Sequence, residues 1–136
     1  MSLEWGGNDA FTLNSPKKWT SDINDLVNSI QSEFPNTPIY FANMPPIKEF
    51  PAFTKSIKFV IGNLVEILGK ELKKFTDNKS NVYYNNEIVT LKKWSKRHSL
   101  PTDNSKLYFS DGVHPSKLTY HVWGEEMGNF IKTKIK

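Results

Sequence analysis

Cysteine is absent from the 136 residues. Disulfides and thiolate-held metals are therefore excluded as sources of stability or chemistry. No apolar run approaches the roughly 18 residues that a membrane-spanning helix needs, and no signal-peptide pattern is visible at the start. Internal repeats and low-complexity tracts are missing too, which removes solenoids and Pro- or Gly/Ser-rich linkers from consideration.

What is present is one domain's worth of chain, with 38% apolar, 24% charged and 13% aromatic residues. That composition suits a globular protein with an aromatic-rich core. The net charge of +4 raises the question of a nucleic-acid partner. Yet the lysines are scattered, apart from Lys92, Lys93, Lys96 and Arg97 and the tail Lys132, Lys134 and Lys136. No nucleic-acid-binding motif accompanies them, so they read as solvated helix faces and no nucleic-acid partner is expected.

Leu3-Glu4-Trp5 reads as a clipped strand running into the turn Gly6-Gly7-Asn8-Asp9. Ser15 and Pro16 have the chemistry of an N-cap and a first helical residue. Trp19, Ile23, Leu26, Val27, Ile30 and Phe34 then form one apolar stripe, which Pro35 ends. Ile39 to Ala42 is a short apolar run of the kind buried on both faces of a parallel sheet. After the loop at Met44-Pro45-Pro46, a helix is expected from about Thr54 to Phe75. Its inward stripe reads Ile57, Val60, Ile61, Leu64, Val65, Leu68, Leu72 and Phe75. Val82-Tyr83-Tyr84 is a third strand, and residues 85–110 carry little regular signal. Pro115 is expected to open a last helix with Leu118, Val122, Trp123, Met127, Phe130 and Ile131 inward. Alternation of strand and helix predicts an α/β fold with a parallel sheet, since parallel strands need crossover connections.

In such sheets ligands bind at the carboxyl ends of the strands. Gly6 to Asp9, Asn43 to Pro46 and the loop Asp111-Gly112-Val113-His114-Pro115 are expected there. A carboxylate three residues before a histidine can reach the ring Nδ1 and leave Nε2 free as a general base. The plainer alternative is a surface loop that Asp111 caps. Asn8, after two glycines, presents an amide N–H₂ suited to an oxyanion hole, or is simply part of a Gly-Asn turn. His98 reads as exposed. His121 and Glu125, with help from Asp111, form a weaker metal-ligand alternative. Ser110 and Ser116 read as caps or loop residues, because sequence neighbours of a base are poorly placed as its nucleophile.

Taken together, these residues resemble the SGNH/GDSL hydrolases, a family of serine esterases and lipases. Gly6-Gly7-Asn8-Asp9 stands in place of the family's G-x-N-D block, and Asp111-Gly112-Val113-His114-Pro115 in place of its D-x-x-H-P block. The segment from Met44 to Phe53 is similar to a stretch common in one bacterial branch. The resemblance implies a flavodoxin-like three-layer α/β/α sandwich, of which residues 1–136 form the C-terminal part of a single domain. It also implies that Asn8 donates to the oxyanion, His114 is the general base and Asp111 orients it. A small-molecule ester is the implied substrate, and no cofactor or metal is implied. The family's Gly-Asp-Ser nucleophile block lies upstream of G-x-N-D and has no counterpart here. The chain is therefore expected to be an N-terminally truncated fragment, inactive alone, and to self-associate through the sheet edge at Leu3–Trp5. The alternative is a non-catalytic binding module on the same fold. Neither cytoplasm nor export is indicated.

Overall fold

A computed structural model describes residues 2–3, 15–101 and 104–135, and most of them are helical. Three short strands form a parallel sheet in the order β1-β2-β3, with β1 at Ser2–Leu3, β2 at Ile39–Phe41 and β3 at Val82–Tyr84. Helix α1, Pro16–Glu33, connects the first pair, and α2, Lys55–Asp77, the second. The last stretch holds α3 at Leu91–Arg97, α4 at Ser105–Tyr108 and α5 at Lys117–Lys134. The expected α/β class with a parallel sheet is therefore present. The sheet is small among the described residues.

The chain divides into two compact units. One comprises residues 1–45 and 63–87 and holds the sheet, α1 and most of α2. Ser15 caps α1 by accepting the Lys18 N–H, and Pro16 follows, as the sequence dictates. Trp19, Ile23 and Val27 bury the helix's stripe. Phe34 does not belong to it. The residue before a proline is pushed out of helical geometry, and Phe34 lies 54% exposed just past the helix. All of β2 is buried, and Tyr40 stacks on Tyr83 of β3. Gln31 donates to the Ser80 carbonyl and Lys79 to Asn28, so α1 is tied to the turn before β3. Burial pushes the Tyr84 phenol up to about 12, which keeps it neutral.

The other unit comprises residues 46–62 and 88–136. Here the sequence reading needs one addition and two corrections. Residues 85–110, where the sequence carries little regular signal, hold two helices. The first, α3, begins where Thr90 accepts the Lys93 N–H and is anchored by buried Leu91 and Trp94. Two anchors are too few to generate a readable period. Next, Ile57 and Val60 at the start of α2 do not face inward but are exposed, whereas Val65, Leu68 and Leu72 further along are buried. Finally, α5 begins at Lys117, not at Pro115, because the Ser116 hydroxyl accepts the Thr119 N–H and caps it. Val122, Trp123 and Met127 are buried as expected, and Thr119 and Glu126 are buried with them.

Candidate active site

The loop between α4 and α5 is built by hydrogen bonds that start with buried aromatic anchors. Tyr108 and Phe109, at the end of α4, are fully buried, and Phe109 packs against Phe50 with ring centroids 4.7 Å apart. The Tyr108 carbonyl accepts two hydrogen bonds, from the Ser116 N–H at 2.7 Å and from the Thr119 hydroxyl at 2.7 Å. These close the loop at its base. The Phe109 carbonyl accepts from the Gly112 N–H at 2.9 Å. In turn the Gly112 carbonyl accepts from the Ala52 N–H at 3.2 Å. Gly112 has φ +91°, and a Cβ there would lie 2.6 Å from the Ala52 Cβ. Both the backbone conformation and the close approach of residue 52 demand glycine at this position.

On this frame Asp111 does two things at once. Its Oδ1 accepts the backbone N–H groups of Val113 at 3.0 Å and His114 at 2.7 Å. Its Oδ2 lies 2.6 Å from His114 Nδ1. The capping reading and the His-orienting reading of Asp111 are therefore compatible, with one carboxylate oxygen for each. Donation from Val113 and His114 N–H, then from the His114 side chain, holds the Asp111 carboxyl down at about 2, below its usual range. An ionised carboxylate facing Nδ1 favours the tautomer with hydrogen on Nδ1 and leaves the Nε2 lone pair available. The His114 side chain is 81% exposed and that of Asp111 56%. The pair is open to an incoming molecule, and its value lies in orientation rather than in a buried charge interaction.

Asn8, the expected oxyanion donor, lies outside the described residues, as does the turn Gly6 to Asp9. Ser110 is exposed beside Asp111, and Ser116 is the α5 cap. His98 is not exposed as the sequence suggested. Its ring is 15% exposed between two carboxylates, with Nδ1 3.3 Å from Glu125 Oε2 and Nε2 3.2 Å from Glu126 Oε1. Glu126 also accepts from Trp94 Nε1 at 2.9 Å and from Arg97. His121 pairs with Glu125 at 3.3 Å. Of the metal alternative, His121 and Glu125 thus bond to one another while Asp111 faces His114, and among the described residues no group of three His, Cys, Asp or Glu is placed to hold a metal ion.

Sequence reasoning missed Thr119, Tyr108 and Ala52, which hold the loop. The one usable signal was Ser116-x-x-Thr119, a cap whose third residue could turn its own hydroxyl back onto the loop. The contribution of Ala52 carried no signal, because it is a backbone contact 60 residues distant in sequence.

A carboxylate-oriented imidazole on an exposed turn of an α/β protein is the general-base arrangement used in hydrolytic acyl transfer. The model of the GDSL-like lipase/acylhydrolase family matches residues 1–127, and the chain belongs to that family. No curated protein and no solved structure matches it.

Proposed function

We propose that this chain is the base-bearing part of a serine ester hydrolase that acts on small acyl esters. The observation that carries the reading is the 2.6 Å approach of Asp111 Oδ2 to His114 Nδ1, in a chain of the acylhydrolase family. His114 Nε2 takes the proton of the nucleophilic serine as that serine attacks the ester carbonyl. It then returns the proton to the leaving alcohol, and a water molecule deacylates the enzyme by the same route. Asp111 holds the ring and stabilises the imidazolium that forms. Asn8 donates its amide N–H to the oxyanion. No serine among the 136 residues stands in a Gly-Asp-Ser setting, so the nucleophile comes from outside them. On this reading residues 1–136 form the C-terminal part of one flavodoxin-like three-layer domain. The alternative is a non-catalytic binding module on the same fold.

The experiment has two arms. The 136-residue chain and its His114→Ala variant should hydrolyse p-nitrophenyl acetate at the same background rate. In the protein completed with its Gly-Asp-Ser segment, His114→Ala should remove nearly all activity, since base and nucleophile act as a unit. Asn8→Ala should cost about 10²–10³ in kcat, the usual loss for one oxyanion donor. If His114→Ala in that protein kept more than about a tenth of kcat/KM, a change under ~1.4 kcal/mol, the base would be misassigned. A stop codon directly upstream of Met1 would favour the binding module.

A further inference from the structure

The first two turns of α2 are exposed where a buried stripe was expected. Phe59 is 68% exposed, Val60 59% and Ile57 43%. At 100° per residue these three lie on one continuous arc of the helix together with exposed Lys55. Lys48, also exposed, runs its aliphatic stem across the same helix at Gly62, where a Cβ would lie 2.5 Å from its Cγ.

Charge over the first two turns is one-sided. From Phe50 to Val65 there is no acidic residue, while Lys55 and Lys58 are basic. The preceding Glu49 accepts the Leu91 N–H. The imbalance extends to the whole unit. Residues 46–62 and 88–136 hold twelve Lys and Arg against five Asp and Glu, whereas residues 1–45 and 63–87 hold six against nine. The modest net charge of the chain conceals a cationic unit and an anionic one.

Exposed large apolar side chains in a cationic unit suit a partner that is both apolar and anionic. We infer that the Ile57–Val60 turn of α2 docks the protein onto an anionic lipid surface. Phe59, Val60 and Ile57 enter the boundary between headgroups and acyl chains, and Lys48 and Lys55 face the lipid phosphates. A polynucleotide would answer the charge but leave the three apolar side chains in water, so lipid is favoured over nucleic acid. The same unit carries His114, and its Ala52–Gly112 hydrogen bond ties the segment leading into α2 to the His114 loop. Docking is nevertheless independent of the proposed ester hydrolysis and is read without turnover.

The test uses the 136-residue chain and sedimented vesicles. Vesicles of phosphatidylglycerol mixed equally with phosphatidylcholine should carry the protein down, and pure phosphatidylcholine should not. Replacing Phe59 and Val60 by Ser should lower the partition coefficient at least about tenfold, since each substitution removes an apolar side chain that leaves water on docking. Ile67→Ser, at an exposed apolar position of α2 in the other unit, should not. Because the chain lacks cysteine, Phe59→Cys can be labelled alone with a polarity-sensitive thiol probe. Its emission should shift to the blue on anionic vesicles, and that of labelled Ile67→Cys should stay unchanged. Absence of sedimentation, equal sedimentation of the double variant, or equal binding to neutral vesicles would overturn the inference. Salt-sensitive retention on duplex DNA without vesicle binding would overturn it in favour of a polyanion. Rates on water-soluble p-nitrophenyl acetate report separately on the hydrolase reading.

Discussion

At the scale of single residues, Asp111 is the most informative side chain. Two backbone N–H groups and an imidazole converge on a carboxylate that remains exposed, and they hold its carboxyl at about 2. A group whose folded pKa is depressed contributes stability above its unfolded pKa, about 3.9 for Asp, and that contribution fades as pH falls toward the folded value. The His114 loop should therefore stay ordered down to about pH 4 and loosen between there and pH 2, read by the amide resonances of Val113 and His114. A midpoint near 4 would mean that the N–H donors are absent in solution. Asp111→Asn provides a sharper test. Its amide oxygen can keep the two backbone N–H groups, but its N–H₂ would then face Nδ1 and drive the proton to Nε2. Nitrogen chemical shifts of the His114 ring should report that tautomer exchange, with little change in stability. An unchanged tautomer would show that Asp111 caps the turn without orienting the ring.

At the scale of elements, two structures can be probed by substitution. Gly112→Ala places a Cβ against Ala52 at a positive φ. Backbone strain of this kind costs about 1–3 kcal/mol. The melting temperature should fall by several degrees, and Thr119→Val, which deletes the hydroxyl donor to the Tyr108 carbonyl, should cost about 1 kcal/mol at the other end of the loop. If Gly112→Ala melted like the parent, the loop would be free to move away from residue 52. The second structure is the Glu126 cluster, which fastens α3 to α5. Glu126 is 7% exposed and serves Trp94, Arg97 and His98. Glu126→Ala leaves the buried indole N–H of Trp94 without its acceptor and His98 with Glu125 alone, at a cost of about 2–3 kcal/mol. Chemical denaturation should show it as a lower midpoint. A loss under about 0.5 kcal/mol would place the cluster among surface pairs of little consequence.

At the scale of the whole molecule, β1 stands at one end of the strand order among the described residues. An end strand offers unpaired N–H and C=O groups to another chain. Concentration-dependent self-association is the expected outcome, measured by sedimentation velocity over a range of loading concentrations. A single monomer boundary throughout would count against the exposed-edge reading. The family match over residues 1–127 covers the sheet, the helices through most of α5, and the Asp111–His114 loop. The separation of charge between the two units belongs to the same scale: residues 88–136 alone hold nine Lys and Arg against four Asp and Glu, and grouping residues 46–62 with them widens the imbalance.

Local chemistry determined much of this protein without help from tertiary contacts. Ser15-Pro16 starts α1 because a hydroxyl acceptor and a proline without an N–H both suit a helix entrance. The aliphatic run at Ile39 forms a buried strand because it offers no polar face. Asp111 and His114 meet because three residues and a glycine are enough to bring carboxylate to ring. Tertiary structure decided what depends on distant backbone. Period alone placed Ile57 and Val60 inward, but a helical stripe is buried only along the length that finds a partner, and in α2 its buried members are Val65, Leu68 and Leu72. His98 and Glu126 look like surface charges in sequence. They are withdrawn from water because α3 and α5 bring an indole, a guanidinium and two carboxylates together. That convergence spans about 30 residues of chain, a range over which hydrophobic periodicity carries no information.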